Sequence, residues 1–107
     1  MATYLISREI TITRQDGDAA DVVVTVPSTL SMTGKTARFQ VRDSGNRVII
    51  NKEDEIAIVG QQITILLATN DTARHAGKHR WELEVSDANG PITIGRGDFI
   101  IVKQLIV

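Results

Sequence analysis

Short stretches in which apolar and polar residues alternate one by one recur along nearly the whole chain, and turn residues separate them. A period of two is the spacing of side chains on the two faces of a β-strand, so each stretch can bury one face only within a sheet. Arg8 to Arg14 alternates with Ile10 and Ile12 on one side, and Asp16-Gly17 then breaks it with a dipeptide suited to tight turns. Asp21 to Val26 is rich in valine and closes at Pro27. Lys35 to Asp43 sets Ala37, Phe39 and Val41 against Arg38, Gln40 and Arg42, and Ser44-Gly45-Asn46 divides it from Val48-Ile49-Ile50. Ile56 to Val59, then Gly60, then Gln62 to Leu67 continue the pattern. Lys78 to Asp87 sets His79, Trp81, Leu83 and Val85 against Arg80, Glu82, Glu84 and Ser86. Asn89-Gly90-Pro91 precedes Ile92-Thr93-Ile94 and a final run from Asp98. About eight or nine strands at roughly 11-residue spacing predict an all-β sandwich or barrel.

One segment departs from the pattern. Thr69 to Gly77 has no alternation, and Asn70 or Asp71 suits the cap of a short helical turn near residues 70–76 that Gly77 would end. A helical crossover between two sheets is expected there. Pro27 to Gly34 forms a second loop, with Leu30 and Met32 tucked under the sandwich edge. No linker, repeat or low-complexity tract divides residues 1–107, which read as one domain.

Composition narrows the function classes. Hydrophobic residues at 42% and charged residues at 23% fit a folded globular chain, and no apolar stretch approaches the roughly 18 residues that span a bilayer. Twelve basic residues against 13 acidic ones give a net charge of −1, without the basic footprint of a nucleic-acid or anionic-membrane binder. There is no cysteine, which excludes disulfides, thiolate metal sites and cysteine nucleophiles. The start Met1-Ala2-Thr3-Tyr4 lacks the basic and apolar regions of a secretory signal, so a chain that starts natively at Met1 is expected to be made and kept in a cytoplasm or to leave it inside an assembly.

No residue constellation points to catalysis, a cofactor or a metal. His75 and His79 are four apart, but Gly77 lies between them and His79 belongs to a strand pattern, so no helix pairs them for zinc. No Gly-x-Ser-x-Gly elbow is present, and Asp16-Gly17-Asp18 with Asp21 lacks the spacing of a calcium loop. Lys52-Glu53-Asp54-Glu55 reads as a solvated charge run, and Arg96-Gly97-Asp98 as the entry to the last strand. Arg38, Arg42 and Arg47 share an outer sheet face without interleaved aromatics, unlike a nucleic-acid platform. Phe39, Trp81, Leu83 and Val85 fall on apolar strand faces and are expected to anchor the core.

Three strands are apolar on both faces: Val22-Val23-Val24, Val48-Ile49-Ile50 and Ile100-Ile101-Val102. A solvent-facing antiparallel strand alternates, so some outer face should be covered by another subunit. The final run places Phe99 and Ile101 on one parity and Ile100, Val102 and Ile106 on the other. The second set, beside an expected open strand edge, is the candidate oligomer interface, and a homo-oligomer follows.

Several framework features occur in a family-like order. They are Gln15-Asp16-Gly17-Asp18, then Leu30-Ser31-Met32-Thr33-Gly34-Lys35 leading into Thr36 to Arg42, and then Gln62 to Leu67. Asn70-Asp71-Thr72-Ala73, Gly77 to Val85, Asn89-Gly90 and Gly95-Arg96-Gly97-Asp98-Phe99 complete the set. Over about residues 8–105 this resembles the immunoglobulin-like β-sandwich domain of tailed-bacteriophage structural proteins, as at the N-terminus of the baseplate upper protein. The resemblance implies a single immunoglobulin-like antiparallel sandwich. It also implies a non-enzymatic tail or baseplate component of a phage or prophage, located in the virion and made in the bacterial cytoplasm. Other virion proteins and copies of itself, a trimer before a dimer, are the partners it implies. Family members commonly continue into a linker, helices or a receptor-binding part; with the sandwich expected to end this chain, the resemblance leaves an adaptor, connector or fibre-attachment role or that of a small virion accessory protein rather than receptor binding. The alternative is an immunoglobulin-like binding module of a bacterial surface or secretion system that recognises protein or glycan.

Overall fold

The three longest strands hold the deepest part of the core. In the computed structural model, which describes residues 8–15, 17, 21–26 and 31–103, β4 (Thr36–Arg42), β8 (Gly77–Asp87) and β9 (Gly90–Val102) pair antiparallel. Their alternation turns Phe39, Val41, Trp81, Leu83, Val85, Phe99 and Ile101 inward, all at most 2% exposed. The Phe39 ring stacks on Trp81 with centroids 5.8 Å apart and meets Phe99 edge-on at 6.2 Å. Ring pairs in these geometries add to the hydrophobic gain of burial.

Two sheets face each other across this core. One runs β1 (Arg8–Glu9), β9, β8, β4, β5 (Val48–Lys52), with β2 (Ile12–Gln15) also on β9; the other runs β3 (Val22–Thr25), β7 (Gln62–Ile65), β6 (Ile56–Val59). The smaller sheet contributes Val22, Ile63 and Ile65 to the same cluster. The fold is an immunoglobulin-like all-β sandwich with one very short helix. Helix α1 (Thr69–Thr72) carries the chain from β7 in the small sheet to β8 in the large one.

Four local expectations are corrected. The larger sheet is mixed, because β1 and β2 run parallel to β9, with Arg8 opposite Gly95 and Ile12 opposite Phe99. β9 is one continuous strand, so Ile92-Thr93-Ile94 and the final run are not separate and Arg96-Gly97-Asp98 lies mid-strand. A register shift between Leu83 and Glu84 leaves Ile94 as the extra residue of a bulge, which buries both Ile94 and Gly95. In α1 the cap position is Ala68, whose N–H donates to Asp71 Oδ2 at 2.6 Å; Arg74, not Gly77, takes the left-handed conformation after the helix (φ 66°). Lys52 is buried in β5, not solvated: its inward position opposite Phe39 brings Nζ to 2.8 Å from Asp71 Oδ2. Glu53, Asp54 and Glu55 are exposed. In the loop before β4, Met32 is buried, whereas Leu30 lies outside the described residues.

Candidate functional site

The outward face of the larger sheet is a ladder of ion pairs. Cross-strand neighbours on one sheet face lie close enough for charged side chains to meet, and opposite charges stabilise the pairing. Arg38 Nη2 meets Glu84 Oε1 at 2.7 Å, Lys35 Nζ meets Asp87 Oδ2 at 2.8 Å, and Arg80 bridges Asp98 at 3.0 Å and Glu9 at 3.2 Å. The hydrogen bond from Lys35 holds the Asp87 carboxyl below the usual range, and that from Arg80 does the same for Asp98. Backbone N–H groups, first that of Arg47, lower Asp43. The arginines expected to share this face are thus dispersed among acceptors: Arg38 on Glu84, Arg47 on Asp43, and Arg42 on Gln40 and Asn46. Arg96 and Asp98 belong to the same ladder, through Glu9 and Arg80.

The histidines sit at the end of the sandwich. His79 Nε2–H donates to the His75 carbonyl, since a carbonyl can only accept, and His79 Nδ1 is buried with no partner. Among the described residues no three His, Asp or Glu side chains converge as metal ligands. Gly17 makes the turn after β2 with φ 82°, while Asp16 and Asp18 lie outside the described residues.

Ile100 and Val102 point outward from β9, Ile100 half-buried and Val102 45% exposed, and Ile106 lies outside the described residues. β9 is not an open edge, because it pairs with β8 on one side and with β1 and β2 on the other.

Among the described residues the edge strands are β1 with β2 and, opposite them, β5 in the larger sheet, and β3 and β6 in the smaller. Among the described residues β2 pairs only with β9 and β3 only with β7, so each has a side without a strand partner. Between them opens a cleft of about 430 Å³, walled by residues 10–14 and 22–26, with Trp81, Ile94 and Gly95 also lining it. This cleft and the neighbouring outer face of β3, β7 and β6 form the candidate site. Sequence reasoning flagged the two-faced valine run but not its place at an edge.

Two glycines shape the floor. Ile10 N–H donates to the Arg96 carbonyl at 3.0 Å, while the Ile10 carbonyl accepts from the Trp81 indole N–H at 2.8 Å. That approach requires Gly97, where a Cβ would stand 2.0 Å from the Ile10 oxygen. Gly95 clears the indole, since a Cβ there would meet Trp81 Cη2 at 2.8 Å. Ile10 is thereby left 43% exposed at the cleft rim, with Val23 at 57% across from it.

No family model and no curated protein matches the chain. Solved structures share its fold: CopC from Methylosinus trichosporium OB3b has a TM-score of 0.53 and 10% identity over 94% of this chain and 90% of its own. The extracellular domain of the voltage-gated sodium channel β4 subunit, described as a parallel homodimer with a role in cell–cell adhesion, has a TM-score of 0.53. It is 15% identical over all of this chain and 94% of its own. Neither is a phage protein. At such identities the likeness establishes the immunoglobulin-like β-sandwich and nothing further.

Proposed function

We propose that this domain is a non-enzymatic assembly or adaptor module of a phage or prophage tail or baseplate. It works by sheet contacts with copies of itself and with neighbouring virion proteins. The observation that carries the reading is the contrast between its two outer faces. The larger sheet sets ion pairs across its outer face, with Val48 39% and Val102 45% exposed on it, whereas the strands of the smaller sheet carry no charged residue and leave Val23 57% and Val59 74% exposed, with Leu66 46% exposed just beyond β7. Exposed apolar surface beside unpaired strand edges is a hazard unless a partner covers it. The phage setting comes from the framework motifs of the sequence.

Light scattering at micromolar concentration tests the homotypic part: a mass above the 11.7 kDa of one chain supports it, and a monomer rejects it. Mass spectrometry of purified tail particles tests the setting, where recovery of the chain in fixed proportion is the expected result. Recovery on the cell surface instead would favour the alternative, a surface binding module, which the adhesion role of the β4 domains makes worth separating.

A further inference from the structure

The strand β3 is chemically unlike an ordinary free edge. Native edges are kept apart by charged side chains, prolines or bulges, and Val22-Val23-Val24-Thr25 with Val26 has none of these in its register with β7. The sheet behind it continues this character outward through Thr64 on β7 and Ala57 and Val59 on β6. Among the described residues no strand pairs with the outer edge of β3, and an edge of backbone donors and acceptors beside an apolar cleft is satisfied by another extended strand. β3 is a good partner for itself. Antiparallel pairing about Val24 sets Val22 opposite Val26 of a second copy, Val23 opposite Thr25 and Val24 opposite its own equivalent. Every position then faces a β-branched residue of the same parity, so inward side chains stay inward. Pairing about Val23 would instead bring Asp21 opposite Thr25.

The geometry points to β3 as the seam of a symmetric dimer, in which the small sheets of two copies join into one continuous sheet. The inference rests on the reading of the chain as an assembly module and names the surface it uses. A two-fold seam closes at two copies, in contrast to the trimer implied by the phage resemblance. Among the described residues the charged side chain that lines the cleft is Arg14, and its guanidinium is held by the carbonyls of Thr13 and Asp21.

The test uses two double variants at Val23 and Thr25, both exposed and both on the outward face. Val23→Lys with Thr25→Lys sets like charges across the seam twice; Val23→Lys with Thr25→Glu sets opposite charges there. Sedimentation from micromolar to millimolar concentration should give a dimer for the parent and for the Lys/Glu variant. The Lys/Lys variant should dissociate at least about tenfold more readily. Emission of Trp81, the only tryptophan, confirms folding in each case. A Lys/Lys variant as dimeric as the parent, or a Lys/Glu variant as weak as Lys/Lys, overturns the seam and leaves the assembly reading standing. A parent that stays monomeric throughout overturns both.

Discussion

Replacing Gly97 by alanine tests the link between β1, β2 and the core. A Cβ at Gly97 would lie 2.0 Å from the Ile10 oxygen and 2.8 Å from its carbonyl carbon and nitrogen, all backbone atoms that cannot rotate away. The segment around Ile10 must therefore move off β9. Two hydrogen bonds go with it: Ile10 N–H to the Arg96 carbonyl, and the Trp81 indole N–H to the Ile10 carbonyl. Each is worth about 0.5–1.5 kcal/mol, and leaving the indole N–H of a buried tryptophan unpaired adds about 1–3 kcal/mol. The expected loss is about 2–6 kcal/mol, a large part of the roughly 5–15 kcal/mol that holds a small domain together. In urea unfolding, with a slope of about 1–3 kcal/mol per molar, the midpoint should fall by about 1–3 M. Trp81 emission should also shift to the red as water reaches the ring. Gly60→Ala is the control, because a Cβ there meets nothing within 4 Å and only its φ of 59° is strained, at a cost of about 1 kcal/mol. If Gly97→Ala costs no more than Gly60→Ala, the clash at Ile10 does not limit this structure and the argument fails.

Further outcomes follow from the same contacts. Trp81→Ala should cost about 3–5 kcal/mol by cavity formation, while Trp81→Phe should cost less, and the native protein's emission should be blue and weakly quenched by iodide. Asp71→Asn leaves Lys52, with its side chain only 9% exposed, without its carboxylate; a loss of about 2–4 kcal/mol in urea unfolding is expected, near or below the range for breaking a buried pair. For pH, Asp43, Asp87 and Asp98 have folded-state pKa values below their ordinary ones. Their contribution is therefore present above the unfolded value of about 3.9 and is lost as pH falls through the lower folded values. Melting temperature should be flat near neutrality and decline below about pH 4, and Asp87→Asn should reduce that acid slope; an unchanged slope would mean the Lys35 contact does not persist in solution.

The alternation in Thr36–Arg42 and Gly77–Asp87 was enough to place Phe39, Trp81, Leu83 and Val85 inward, because the period of a strand is a local property of the backbone. Turn chemistry was equally local at Asp16-Gly17 and Asn89-Gly90, where glycine takes the positive φ that other residues resist. The helical crossover was legible for the same reason, although its capping by Asp71 three residues inside was not. Partner choice was not legible. Nothing in Arg8–Gln15 marks it for parallel rather than antiparallel pairing, and Gly95-Arg96-Gly97 reads as a break until Trp81 and Ile10 occupy the space those glycines leave. Lys52 reads as part of a solvated charge run until α1, from a distant stretch of chain, brings Asp71 to it. The two-faced valines of β3 raised the expectation of a covered surface, but whether a strand lies inside a sheet or at its edge depends on which other strands reach it. Local chemistry sets the conformation of each segment, whereas edges, clefts and buried charges arise from contacts between segments far apart in sequence, and only the tertiary structure decides those.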